Sequence, residues 1–586
     1  MISETINARI FGGDRRGEAW LPESALARSA FAVCIAGAAL AVPVLINGMR
    51  HIVFEAPGLV IPMLLVVATT SSAFFWVRYP SVAPYLRITL AGCALLLGAN
   101  VLWLGFDFPV VDEATHKAVA PLFPIAPIAA FAFGFLAVFR PAFAVVPATI
   151  FVVQKTLVTA MAGGLAGFSH YLVIVDTAAF VAVAIVAFRA AQVIAARFFE
   201  KTRVESAFSE RSADLYYLII MCIAIGVHFG NYFLSGVGKA LLDGGLVSWL
   251  LENKTQYLML GGYNLGSAPL SISSTLFGRA FAALDQTYIL VNLAVLIAQA
   301  FCFLAFLRKR IMLGWVLFFD VMHVTIFILT GALFIHWILL NSLLLVSVSK
   351  MPEILAPRVA LVAGIVSTIF GHLLFNTIML AWYDNRQVRD AGFVAVYADG
   401  SEARVPPSFF RESAYAFYGR WFRLAPETGG WVEAPTSVTV GARKQSQSYA
   451  WGQVQKVDAM RRGEDCLAPA ETPENGESGI AQIDFDLPAA EAFVRARQTW
   501  VADRLKRGAP VRYHLFPHDH FSMPWRFREF EEADLEAIVG YYYRVETVCL
   551  GWRDGVFQRE VMARSASPIF SVANAAAPDD APGAAK

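Results

Sequence analysis

Apolar stretches of bilayer-crossing length alternate with short polar breaks over the first two thirds of the chain. Crossing takes roughly 20 helical residues, and runs of that order fall near 26–49, 57–77, 88–106, 119–139, 141–163, 170–196, 213–237, 286–307, 312–331, 333–349 and 359–382. Only Gly331 and its neighbours separate 312–331 from 333–349, so that pair reads as two spans or as one broken helix. The pattern predicts a polytopic α-helical membrane protein of about 10–11 spans over 26–382, after a polar segment 1–25. Beyond 383 the pattern becomes a charged, Pro/Gly-rich and aromatic mixture. Alternation around Asp399-Gly400 and around Asp554-Gly555 predicts two hairpins. Residues 383–573 are therefore expected to form a smaller, mainly β soluble domain. Within it 459–480 reads as a loop and EEADLEAIVGYYYR as a short helix or a helix-to-strand passage, and 574–586 reads as a disordered tail.

Composition agrees. Of 586 residues, 57% are hydrophobic and 16% charged, which argues against an ordinary soluble domain. A formal charge of +1 gives no reason to expect a nucleic-acid partner. The basic residues serve orientation instead: Arg15 and Arg16, Arg78 and Arg87, Arg140, Arg197 with Lys201 and Arg203, and Arg308-Lys309-Arg310 all fall on one side. The N-terminus is thus expected in the cytoplasm. The first apolar run lacks a small-residue cleavage site, so it is expected to stay as an anchor. If 312–349 crosses twice, the C-terminal domain lies outside, in the periplasm if the membrane is a bacterial inner membrane; if once, it is cytoplasmic. Cys34, Cys93, Cys222 and Cys302 lie in apolar runs, whereas Cys466 and Cys549 could pair in an oxidising compartment.

Ionisable groups are costly in hydrocarbon and so mark partners or sites. Lys155 and Asp176, on consecutive segments, are expected to form an ion pair across a helical hairpin. Asp320 and His323 share one helix face, and His228, His323 and His372, from three segments, could converge on one cavity or could each be an isolated packing hydrogen bonder. No metal is expected, because the spans hold no HxxxH or HExxH. In the tail, HLFPHDH (His514, His518, Asp519, His520) gathers ligand types that would suit zinc or a similar metal, but Pro517 breaks their spacing and the alternative is a polar turn; MLGGYNLG (259–266), which lacks the lysine and spacing of a phosphate loop, reads as an external loop.

The stretch NYFLSGVGKALLDGG (231–245) ends an apolar run on Lys239. Its amine is either an anchor in the headgroups or a buried base. FSHYL, with His170, precedes YFLSGVGKAL, which carries Tyr232 and Lys239, and WVLFFDVMHVTIFILTGALF follows with Asp320 and His323. In this order the blocks resemble the vitamin K-dependent gamma-carboxylase family and the wider horizontally transferred transmembrane domain (HTTM) proteins, over 165–350. The resemblance implies that Lys239 matches the second lysine of the family's pair, the amine that deprotonates a reduced quinone, and that His170 matches a histidine of the carboxylation half-reaction. It further implies a quinone pocket, to which His323 is a looser match; Asp320, His228, Tyr232 and His372 are candidates to line it. Gly238 stands in place of the first lysine, and the family's Asp-x-x-Trp is displaced to Asp243 and Trp249. Base chemistry needs an unprotonated amine, which apolar surroundings favour, and a dry pocket protects reactive intermediates.

The function implied is a membrane lyase, or a quinol-dependent oxidation or carboxylation enzyme, with a reduced quinone as cofactor and membrane lipid and an unknown protein or small molecule as partners. Two alternatives stand beside it: a non-catalytic anchor or assembly protein presenting the C-terminal domain, and a transporter with a proton path through the mid-membrane histidines and Asp320.

Overall fold

The computed structural model describes residues 25–79, 83–106, 110–161, 172–198, 208, 210–241, 245–353, 358–379, 381, 384, 386–409, 438–440, 466, 487–509, 511 and 522–571. His170, Asp243, the His514–His520 run, the N-terminal segment before Ala25, the 459–480 loop except Cys466, and the 574–586 tail lie outside them.

The apolar part forms α1 (Ala25–Glu55), α2 (Val60–Ala73), α3 (Pro84–Leu104), α4 (Glu113–Val119), α5 (Ala126–Leu136), α6 (Val145–Met161), α7 (Leu172–Phe198), α8 (Glu210–Leu241), α9 (Gly245–Glu252), α10 (Gln256–Leu265), α11 (Ser274–Ala300), α12 (Lys309–Thr330), α13 (Ile335–Ser349) and α14 (Arg358–Phe370). Among the described residues seven helices are long and apolar enough to cross a membrane, or eight if the bent pair Glu113–Leu122 and Ala126–Leu136, meeting at 47°, is one broken span.

The centre of the bundle is α8. Of its most apolar window 89% lies inside the fold, against 6% for α11. Small residues bring neighbouring backbones up to it, as in many membrane helix pairs. A Cβ on Gly226 would fall 2.6 Å from the Gly364 carbonyl oxygen of α14, and one on Gly230 would fall 3.1 Å from that of Thr368. Farther along, a Cβ on Gly236 would stand 2.9 Å from the Ala300 nitrogen of α11. The remaining faces of α8 carry Tyr216, Ile220, Phe229 and Tyr232, all fully or nearly fully buried.

The ambiguous stretch 312–349 is a hairpin of two helices. Gly331, at φ +83°, ends α12 in the left-handed region. The chain then folds back so that Trp337 packs on His323, with ring centroids 5.4 Å apart, and Ser342 donates to Asp320 at 3.1 Å.

Several expected boundaries move. The run expected at 286–307 begins as a helix at Ser274, because the Ser273 hydroxyl accepts the Leu276 amide. The last apolar run stops at Phe370 and not at 382: the chain turns through Gly371–Leu373 and gives the Asn376 amide to Asp176 at 2.9 Å. That contact also displaces the expected Lys155–Asp176 pair. Asp176 takes the backbone and side-chain amides of Asn376, and the Lys155 ammonium lies 5.6 Å from the Phe151 ring. MLGGYNLG is not a loop but most of α10. Met259 and Leu260 are buried, and a Cβ on Gly262 would meet the Thr330 carbonyl at 2.6 Å, so the glycine serves a close helix contact.

The C-terminal region contains β1 (Thr377–Met379), β2 (Gln387–Tyr397), β3 (Glu402–Arg404), β4 (Val438–Val440), α15 (Leu487–Lys506), α16 (Arg528–Glu531), β5 (Ile538–Arg553) and β6 (Val556–Ser571). β1 pairs with β4, and the larger antiparallel sheet has the order β3-β2-β5-β6. Both expected hairpins form; Asp554 and Gly555 have φ of 53° and 76°, as a two-residue primed turn requires. The helix-to-strand passage is α16, a 3-10 turn Leu535–Ala537 and β5. The expectation of a mainly β domain omitted the 20-residue α15, whose Phe493, Val494 and Val501 pack with Phe393, Tyr541 and Tyr543 of the sheet. Cys466 and Cys549 are disulfide-bonded.

This sheet is docked on α10 and α11. Val548 and Leu550 share a core with Met259, Leu260 and Phe277, and Trp552 and Phe557 pack on Tyr263. Around this apolar patch Arg559 donates to the Asn264 side chain at 2.8 Å and to Asp390 at 2.9 Å, and it also pairs with Glu546. Arg404 bridges the Asn264 carbonyl and Asp390. Burial alone would push the Asp390 carboxyl up, but Arg404 and Arg559 outweigh it and hold the group below its ordinary 3.8. A carboxyl depressed in the folded state stabilises above its unfolded value, and that contribution disappears as pH falls through the folded one. The docked sheet is thus expected to resist pepsin until the pH drops below the ordinary carboxylate range. Asp390→Asn, which removes the buried charge facing two partly exposed guanidinium groups, should cost about 2 kcal/mol and loosen the sheet at neutral pH, read by limited proteolysis of the full chain.

Candidate functional site

One face of α8 carries the site candidates. At 100° per residue, His228, Tyr232, Ser235 and Lys239 line a single narrow stripe, and all four are buried. A polar stripe inside an apolar bundle must find its partners in the neighbouring helices. It does so in two places.

The inner centre is built by α8, α12 and α13. His228 Nε2 lies 2.7 Å from Asn341 Oδ1, and Asn341 Nδ2 donates to the Tyr232 hydroxyl at 3.0 Å. With the amide in this orientation Nε2 carries the proton. His228 Nδ1 is then a bare acceptor, buried and without a partner among the described residues. Tyr232 stacks on Phe319 at 3.5 Å and meets Trp337 edge-on at 5.1 Å. His323 joins the same aromatic box, 5.7 Å from Tyr232 and 5.0 Å from Phe334. Asp320, half-buried, accepts from Ser342 and interacts with Asn341 at the margin of the box.

The outer centre surrounds Lys239. Its amine is enclosed, 7% exposed, and donates to Gln299 Oε1 at 2.9 Å and to the Ser235 carbonyl at 3.3 Å. Nζ also lies 5.0 Å from the centroid of the Trp249 indole. Asp384 acts on it electrostatically. That carboxylate is placed by Asn253, which donates to Asp384 Oδ2 at 3.1 Å and accepts the Asp384 amide at 2.7 Å. Asn292 of α11 in turn donates to the Asn253 carbonyl at 2.8 Å.

The sequence candidates are therefore partly gathered. His228, Tyr232, His323 and Asp320 come together, and Lys239 lies on the same face of α8, seven residues and about 10 Å from Tyr232. Lys239 and His323 occupy different centres. His372 sits half-buried on the turn after α14, and no contact among the described residues joins it to the other histidines. His170 lies outside the described residues. Sequence reasoning missed Asn341, Gln299 and the Asn253–Asp384 pair; an amide isolated in an apolar run was the available signal. Among the described residues no group of three or more His, Cys, Asp or Glu could hold a metal ion. Compared with protein-family models, curated proteins and solved structures, the chain matches none.

Removing one member of the inner centre strands the others. Asn341→Leu leaves His228 Nε2 and the Tyr232 hydroxyl buried without their amide, and is expected to destabilise the bundle by about 2 kcal/mol. The double variant with His228→Leu is expected to lose less than the sum of the two single losses, measured by thermal unfolding in detergent.

Proposed function

We propose that the chain is an integral-membrane enzyme in which the Lys239 amine acts as a base toward a reduced quinone, as the resemblance to the gamma-carboxylase and HTTM proteins implies. The observation that carries this reading is the enclosure of Lys239 beside two carbonyl acceptors and an indole face. A headgroup anchor would extend its amine outward.

A neutral amine has two N–H donors and one lone pair. The Gln299 and Ser235 carbonyls accept from Nζ, and in the neutral form it is the nitrogen lone pair that takes up a proton. Once protonated, Nζ gains from the Trp249 ring face and from the Asp384 charge. The residue chemistry suits a ring carrying hydroxyls: the Trp249 indole stands beside Nζ at the outer centre, and at the inner one His228 Nδ1 is an acceptor without a partner among the described residues. A reduced quinone, when bound, supplies the acidic hydroxyl and the reducing equivalents.

In this reading the seven long apolar helices and the shorter α13 and α14 span the membrane, and the C-terminal sheet lies outside the cytoplasm, in the periplasm of a bacterial inner membrane. The α12–α13 hairpin supports that orientation by returning the chain to the basic side before α14, and the Cys466–Cys549 disulfide suits an oxidising compartment. A reporter that is active only outside the cytoplasm, fused after residue 571, is expected to be active.

A second reading, a transporter with a proton path, draws on the buried His228–Asn341–Tyr232 chain with Asp320 at its margin. The anchor reading is weakened by the firm docking of the sheet on α10 and α11. The enzyme reading is tested in proteoliposomes supplied with a reduced naphthoquinone. Lys239→Ala that folds as the parent does is expected to lose quinol turnover by roughly 10²–10⁴-fold. Undiminished turnover would sink the proposal, and proton-coupled accumulation without turnover would favour the transporter.

A further inference from the structure

We propose that Gln299 is the positioning residue of the outer centre, fixing the Lys239 amine through an uncharged acceptor. This rests on the reading of Lys239 as a base, but the geometry behind it is independent.

The helix that carries Gln299, α11, is the most outward-facing of the long apolar helices, with only 6% of its apolar window inside the fold. Gln299 is an exception on that helix, at 7% exposed. It is turned inward where α8 and α11 touch. At that contact a Cβ on Gly236 would lie 2.9 Å from the Ala300 nitrogen and 3.2 Å from the Gln299 carbonyl carbon. Lys239 follows Gly236 by three residues, close to one helical turn. The glycine thus sets the helix separation at the point where Gln299 Oε1 reaches Lys239 Nζ at 2.9 Å. The last turn of α11 is also held by α12, whose Trp315 indole donates to the Ala298 carbonyl at 2.8 Å.

The choice of acceptor matters chemically. A carboxylate at this distance would hold the amine as an ammonium, with no lone pair to offer. An apolar side chain would leave an N–H of the amine without its carbonyl. An amide oxygen directs one N–H while adding no charge.

The test uses the full-length chain in proteoliposomes. Acetylation of Lys239 by acetic anhydride is measured at neutral pH by peptide mapping, with Lys254 as the internal reference, beside quinol turnover. Gln299→Glu is expected to lower Lys239 acetylation about tenfold, and Gln299→Met to raise it severalfold by removing one acceptor of the amine. Gly236→Ala, which keeps Gln299 but forces the helices apart, should follow Gln299→Met. All three should reduce turnover. Opposite changes in acetylation from two substitutions at one position are what a positioning role predicts, since general loosening of the bundle would move both the same way. Parental acetylation in both Gln299 variants, or a change of the same sign in both, would overturn the inference. Failure of the base reading is seen separately, as turnover that survives Lys239→Ala while these acetylation shifts persist.

Discussion

Everything around α8 follows from one constraint: a helix enclosed on all sides must find the partners of its polar groups within the bundle. An unsatisfied polar group in such a place costs on the order of a few kcal/mol, so neighbours are placed by what α8 presents. His228 and Tyr232 require an amide, and α13 supplies Asn341. Lys239 requires acceptors, and α11 supplies Gln299. These two contacts give direction to helix packing that apolar surfaces alone leave undirected.

Close approach makes those contacts geometrically available. Gly226 and Gly230 admit the α14 backbone on one side of α8, and Gly236 admits α11 on another. The short interhelical distances then bring side chains of ordinary length within hydrogen-bond range. Packing and polar chemistry are coupled: the glycines set the separations, and the amides use them.

The C-terminal sheet uses a different balance. An apolar patch of Val548, Leu550, Trp552 and Phe557 covers α10 and α11, and a network of arginines and two buried carboxylates binds its edge. Asp384, in the connection leading to β2, is held by Asn253 near Lys239. The docked domain and the outer centre therefore share part of their framework. In the proposed enzyme the C-terminal domain would form one wall of the neighbourhood in which the amine works.

Hydrophobic periodicity and length by themselves determined the helical class of the first 370 residues, the change of character near 383 and the two hairpins, because these depend on local burial preference and turn stereochemistry. Asp554-Gly555 announces its turn through the φ values it tolerates. Tertiary structure alone decided which polar residues meet. Lys155 and Asp176 looked like partners by depth, yet Asp176 was claimed by Asn376, two hundred residues away in sequence. MLGGYNLG looked like a loop because glycine signals both turns and close helix contacts, and only Thr330 across the contact distinguishes them. Asn341 and Gln299 were visible as isolated amides, but their roles are relations between helices, set by crossing points that no single segment encodes.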